Sequence, residues 1–258
     1  MFSSRIATAV RAALVCACIG VANVSLVTAC GSAPSSTRAA TTSPAAATSP
    51  AAATGGTSGN PTAKPTTAAS GVYGDPQAAA KYWVQQSTED TCGLASVADV
   101  VGEVTGKPAT EAQIIKLAQN TPSVIRDGPI YLPTGDPGHE TEKGGIDAAD
   151  TVVLLDHYGI KSRMTWDKYP DEVTLPALEQ YLGANRKVIA WVNGGTILDS
   201  NDQRKTADHL LVVTGIDTNN DTVHLNDPYA DNGDTKVSIT RFMTAWKAGE
   251  HTIVVTAG

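Results

Sequence analysis

The chain has 258 residues, with 26 Asp and Glu against 19 Lys and Arg and a formal net charge of −7. No acidic residue precedes Asp75, and of the basic residues only Arg5, Arg11, Arg38 and Lys64 do, so the part from Asp75 onward carries a net charge of −11. That balance argues against a nucleic-acid partner, whose phosphates need a basic surface, and against electrostatic adhesion to anionic lipid.

The N-terminus has the form of an export signal. Arg5 and Arg11 make a positive start, and the uncharged apolar run AALVCACIGVANVSLV (12–27) is short for a membrane span and ends in small residues. The closing LVTAC, Leu26 to Cys30, resembles the bacterial lipobox, in which aliphatic and small residues stand directly before a cysteine. The resemblance implies that residues 1–29 are a lipoprotein signal peptide and that Cys30 is lipidated. The lipid would tether the mature protein to the outer face of the cytoplasmic membrane without spanning it. An ordinary secretory signal cleaved nearby is the alternative. Cys16 and Cys18 leave with the signal in either case, so their spacing is not read as a metal site. Cys92 is the one cysteine after Cys30, and it has no intramolecular disulfide partner. An unpaired thiol in an exported protein is open to oxidation and asks for an explanation.

Residues 30–74 are nearly all Ala, Thr, Ser, Pro and Gly, too poor in apolar bulk to offset the entropy of ordering, and are expected to form a disordered tether. Residues 75–258 are the expected folded domain. The apolar spacing of Leu94, Ala95, Ala98, Val101 and Val104 predicts a helix opening at Cys92. TEAQIIKLAQ carries a capping-box pattern in Thr110 and Gln113. IDAADTVVLLDHYGI predicts a helix stopping near Gly159, and TLPALEQYL another with Pro176 in its first turn. The second half is rich in β-branched runs. KVIAWVN, HLLVVTGID, DTVHLND and HTIVVTA predict strands, with a turn at DTNND and a short helix in TRFMTAWKAG. Helices first and antiparallel strands afterwards point to an α+β fold, with N-terminal helices packed on a C-terminal sheet.

Cys92 sits where its helix begins. A thiol is a useful nucleophile as thiolate, and the N–H groups and dipole of a helix N-terminus favour that form. Gln86, six residues earlier, has an amide able to help bind an oxyanion. Of the five histidines, His209 opens an apolar strand, where a polar side chain can face a cleft. The hairpin then returns the chain to Asp227, roughly opposite His209, where a carboxylate would orient the imidazole. Each residue also has a plainer reading. Cys92 is a small buried hydrophobe, His209 a strand-end residue bonded to a carbonyl, Asp227 the start of a turn through its Asp-Pro pair.

Taken together, Gln-x5-Cys-Gly at a helix start, His opening HLLVVTGID, and NDP after the next strand resemble the papain-like cysteine peptidases. The bacterial branch related to bacteriocin-processing, double-glycine leader peptidases is the most similar in look. The resemblance covers about Tyr82 to the C-terminus. It implies a papain-like α+β fold, no cofactor, Cys92 as nucleophile, His209 as general base and acid, Asp227 as the orienting group and Gln86 as oxyanion-hole donor. The partner it implies is a peptide, or another amide or ester. Two departures stand out: Thr91 precedes the nucleophile where such peptidases often carry Asp, and no transporter region accompanies the domain in this sequence. A binding lipoprotein that keeps the fold without turnover is the second reading. The Asp-x-Asn-x-Asp spacing at Asp217, Asn219 and Asp221 lacks a calcium loop's glycine and twelfth-position Glu, and His139 with its neighbouring glutamates is too scattered for zinc. The long segment 126–145 is either a cleft border or a mobile loop.

Overall fold

A computed structural model describes residues 71–141, 144–201 and 204–258. The signal peptide, Cys30 and residues 31–70 of the expected tether lie outside the described residues.

The order of elements is β1 (Val72–Gly74), α1 (Pro76–Ala79), a 3-10 turn (Ala80–Tyr82), α2 (Cys92–Thr105), α3 (Glu111–Ala118), α4 (Pro137–Thr141), α5 (Ala148–His157) and β2 (Ser162–Thr165). It continues through a 3-10 turn (Pro170–Glu172), α6 (Leu175–Gly183), β3 (Val188–Val192), α7 (Gly194–Ile197), β4 (His209–Asp217), β5 (Thr222–Asn226), β6 (Thr235–Ser238), α8 (Ile239–Lys247) and β7 (Ile253–Thr256). The helix ends carry their own sequence signals. Thr110 and Gln113 close a reciprocal capping box on α3, and Asp147, Thr174 and Ser238 cap α5, α6 and α8 with side-chain oxygens. Gly106, left-handed at φ 69°, ends α2.

All described strand pairs are antiparallel. Six strands run in the order β2-β7-β3-β4-β5-β6, and β1 joins β4 beyond the end of β3. Val72–Gly74 were expected in the tether; instead they pair with Asp217–Gly215. Gly74 is needed there, because a Cβ would stand 2.3 Å from the Thr214 carbonyl oxygen, and its φ of 83° suits glycine alone.

The apolar strands read as continuous runs because both faces of the sheet are covered. Ile189, Leu210, Val212 and Val254 meet one cluster with α2, α3 and α5. The alternate residues Val188, Ala190, Val192, Leu211, Val213, Ile253 and Val255 meet α6 and α8. The fold is therefore α+β as expected, with one refinement. The N-terminal helices cover one face, while α6 and α8 cover the other with Leu178, Leu182, Phe242 and Trp246.

One irregularity sets the geometry of everything at the end of β4. The β4–β5 register runs Asp217↔Thr222, Ile216↔Val223 and Gly215↔His224, then shifts to Val213↔Leu225 and Val212↔Asn226. Thr214 is the extra residue of a β-bulge. Extended by one residue, the shifted register sets Asp227 across from Leu211. Without the bulge it would stand across from Val212, whose side chain points to the opposite face from that of His209.

Trp246 is fully buried, stacks on Phe242 at 5.7 Å between centroids, and donates its indole N–H to the Thr252 carbonyl at 3.0 Å. Trp246→Ala is expected to lower the unfolding free energy by about 3–5 kcal/mol in urea denaturation, because the α8 layer loses its largest side chain. A loss below about 1 kcal/mol, the scale of an ordinary substitution, would mean that this layer is not integral to the fold.

Candidate active site

Cys92 is the first residue of α2, and its N-cap, Thr91, is fully buried and makes no side-chain cap bond. The Thr91 hydroxyl turns back instead to donate to the Thr88 carbonyl at 3.0 Å. The N–H groups opening α2 are thus left uncapped beside the thiol. Gly93 is required by close packing: a Cβ would lie 2.6 Å from Ile146 Cγ1 and 2.8 Å from Leu210 Cδ1. The Leu210 N–H points to Cys92 Sγ at 3.5 Å, so α2 docks with its first residue against the start of β4.

His209 opens β4 beside that contact. Its Nε2 lies 2.7 Å from Asp227 Oδ1, and the Cys92 side chain is close enough to the ring to raise its pKa. With Nε2 directed at the carboxylate, Nδ1 is the nitrogen left for the sulfur. The structure thus brings together Cys92, His209 and Asp227 from three separate segments. Asp227 does not stand directly opposite His209; it reaches the ring as a diagonal neighbour, two places along, on the face that the bulge selects.

Cys92 and His209 are each 8% exposed, and Asp227 is fully buried. Burial pushes the His209 imidazolium down, but hydrogen bonds to Asp227 and Cys92, together with their charges, outweigh it and raise the group to about 10. The Asp227 carboxylate needs such a partner. Its Oδ1 accepts from His209 and from the Tyr229 N–H at 2.9 Å, while Oδ2 is buried with no hydrogen bond among the described residues.

Gln86 belongs to a segment fastened to the Asp227 turn. Trp83 Nε1 donates to the Asp227 carbonyl at 2.7 Å, the Gln86 N–H to the Pro228 carbonyl at 3.0 Å, and Gln85 Nε2 to the Ala230 carbonyl at 3.3 Å. The Gln86 side chain is anchored through Nε2 on the Thr88 carbonyl at 2.8 Å, which leaves its second N–H available. Gln86 and His209 line one depression of the surface together.

Several supporting residues escaped the sequence reading. Trp83 holds the Asp227 turn through its indole N–H. Asn226 donates to Asp99 at 2.7 Å and to the Ala79 carbonyl at 3.1 Å, and accepts the Asp234 N–H at 3.1 Å. Burial, and then the adjacent Glu103 carboxylate, pushes the Asp99 carboxyl well up, which favours its protonated form. Glu103 in turn meets Lys187 at 2.9 Å. The signal available in sequence was the i,i+4 pair of acids on the otherwise apolar helix α2. The segment 126–145 contributes no residue to the two depressions near His209. It folds onto the turn before Cys92, with His139 Nδ1 3.6 Å from Asp90 and 2.7 Å from the Leu132 carbonyl. Tyr131 in the same segment is pushed up to about 12 by burial and by the Asp90 carboxylate. The Asp217 carboxylate closes the β4–β5 turn through the N–H groups of Asn219 and Asn220.

Residues 77–254 match the model of the Peptidase_C39 like family. The chain belongs to that family. Membership makes it cysteine-peptidase-like in family and papain-like in fold, as the Gln-x5-Cys-Gly, His and NDP pattern implied. Two relatives, uncharacterized proteins of Mycobacterium tuberculosis and Mycobacterium bovis, are each 42% identical over 206 residues, spanning 75% of this chain and 88% of theirs. A solved structure described as that of a C39-like peptidase from Bacillus anthracis is 18% identical, with a TM-score of 0.48, over 68% of this chain and 94% of the other.

The raised His209 carries a definite sign. Its folded-state value lies above the ordinary 6.5, so the stability it contributes is fully present below about pH 6.5 and is lost as pH rises through about 10. The His209 ring should titrate near 10 by NMR in the native chain, and more than a unit lower in Asp227→Asn. The stability gap between the two proteins should narrow over the same range. A His209 titration at the ordinary value in both would refute the coupling.

Proposed function

We propose that the family member described here is an active thiol hydrolase, a peptidase or amidase, working outside the cytoplasm on the end of a lipid tether at Cys30. The observation that carries the reading is the convergence of a buried thiol, an imidazole and a buried carboxylate, with an uncapped helix start beside the sulfur. Cys92 Sγ attacks the substrate carbonyl carbon, and His209 holds the thiol proton while Asp227 keeps the ring oriented. The carbonyl oxygen becomes an oxyanion that accepts hydrogen bonds from the Gln86 amide and from a backbone N–H at the start of α2. Collapse breaks the bond to nitrogen, and His209 passes its proton to the leaving amine. The thioester left on Cys92 is then attacked by water, with His209 taking a water proton. Release of the carboxylic acid restores the thiol.

The hydrophobic alternative for Cys92, a mere filler, would not give the sulfur a histidine neighbour with a carboxylate behind it. The departure at Thr91 is accommodated, since that residue closes the 88–91 turn with its hydroxyl and leaves the helix N–H groups uncapped.

Cys92→Ala should lower turnover of a cleaved reporter peptide by about three orders of magnitude or more. Gln86→Ala should lower kcat by about 10²–10³-fold with a smaller change in KM. In limited alkylation near neutral pH, Cys92 should react faster than a free thiol, and His209→Ala should remove the excess. Peptide binding without cleavage by the native protein, with no such excess, would favour a binding role. The tether has its own readout: Cys30→Ala should move the protein from the membrane fraction to the soluble one, and an unchanged distribution would refute lipidation there.

A further inference from the structure

Two depressions flank the site, and they share the same dividing wall. One is lined by Gln85, Gln86, Ser87, Thr88, Glu89, Pro228 and Tyr229. The other runs past Gly194, Gly195, Leu198, Arg204, Asp208 and His209, and it too is lined by Gln86, Glu89 and Tyr229. A substrate crossing from one to the other therefore passes Gln86, Glu89 and Tyr229 whichever direction it takes.

The charges along this path do not cancel. Arg204 and Asp208 pair with each other at 3.0 Å, and Asp208 also accepts the Gly194 N–H at 2.8 Å. His209 is matched by Asp227. Glu89 is exposed and has no hydrogen bond or ion pair among the described residues. Tyr229 lines both depressions with it, an aromatic side chain 56% exposed whose backbone N–H is fixed on Asp227. An exposed aromatic ring and an unmatched carboxylate lining the same depressions can attract a cation twice, through charge and through the ring face. Glu89 lies three residues before Cys92, so a cation seated there belongs to a residue close to the reacting carbonyl.

Building on the hydrolase reading above, we propose that this groove selects peptides carrying a Lys or Arg side chain near the scissile bond, seated between the Glu89 carboxylate and the Tyr229 ring. Glu89 is the specificity-determining residue; it takes no part in the proton transfers. The acidic balance of the domain adds long-range attraction for the same substrates, but Glu89 and Tyr229 give it a position.

The test has two arms, one of which needs no turnover. In the first, reporter peptides that differ only in Lys, norleucine or Glu near the cleaved bond are compared by kcat/KM. The Lys peptide is expected to exceed the norleucine peptide by about tenfold, the scale of one exposed ion pair plus one cation–π contact. Glu89→Gln should erase most of that ratio and Glu89→Lys should invert the order. In the second arm, Cys92 is modified with aminoethyl and sulfonatoethyl methanethiosulfonate, a cation and an anion of the same reactive class. The cationic reagent should be favoured in the native protein, less so in Glu89→Gln, and unfavoured in Glu89→Lys. Asp171→Asn, an equal change of charge outside both depressions, should leave the ratio as it is. A charge preference indifferent to residue 89 in both arms overturns the proposal. Cleavage abolished by Cys92→Ala yet blind to Lys sinks the specificity and spares the hydrolase. A reagent preference that follows residue 89 in a protein that cleaves nothing sinks the hydrolase and spares the cationic groove.

Discussion

A single extra residue in β4 governs the site. The bulge at Thr214 shifts the register between β4 and β5 by one, and a shift of one changes the face on which every later side chain of β5 emerges. Asp227 follows β5 directly, so its carboxylate shares a face with His209, while Asn226 turns to the opposite face and meets Asp99 on α2. Strand β1 packs on the same irregular stretch, with Gly74 against the Thr214 carbonyl. The first strand of the domain thus braces the place where the register changes.

The second constraint is the burial of charge. A carboxylate with no solvent and one unpartnered oxygen is costly unless a cation stands at hydrogen-bond distance. Asp227 is in that position, and His209 supplies the neighbour. The same logic runs behind the site, where Asn226, Asp99, Glu103 and Lys187 share polar contacts around the base of α2. These groups lie where helix and sheet meet, so their hydrogen bonds also set how α2, with Cys92 at its tip, sits against the sheet. Loss of one partner would leave another buried and unsatisfied, which makes the arrangement cooperative. The segment carrying Gln86 is joined to the Asp227 turn by three hydrogen bonds.

What was legible in the sequence was local. The helix over Cys92–Thr105, the capping box at Thr110 and Gln113, and strand His209–Asp217 follow from spacing, caps and β-branched runs that need no partner. Short edge elements such as β2 and β6 were not legible, because their four residues, SRMT and TKVS, carry too little apolar content to separate from a loop. Strand β1 was hidden for another reason: Val72–Gly74 look like the end of a Gly-rich tether, and only β4 supplies their hydrogen bonds.

The sequence by itself determined the residue types and their order: a lone thiol at a helix start, an amide six residues before it, a histidine opening a strand and an Asp-Pro after the next. Those are properties of neighbours in the chain, fixed by helix and strand periods. Only the tertiary structure decided that the histidine nitrogen meets the Asp227 carboxylate, that α2 docks its first residue on β4, and that Trp83 and Asn226 hold the turn between them. The reason is physical. The docking of Cys92 on Leu210 joins segments 118 residues apart, and the β4–β5 register, though formed within one hairpin, turns on a bulge, so no local pattern encodes which face of a strand a neighbour will find.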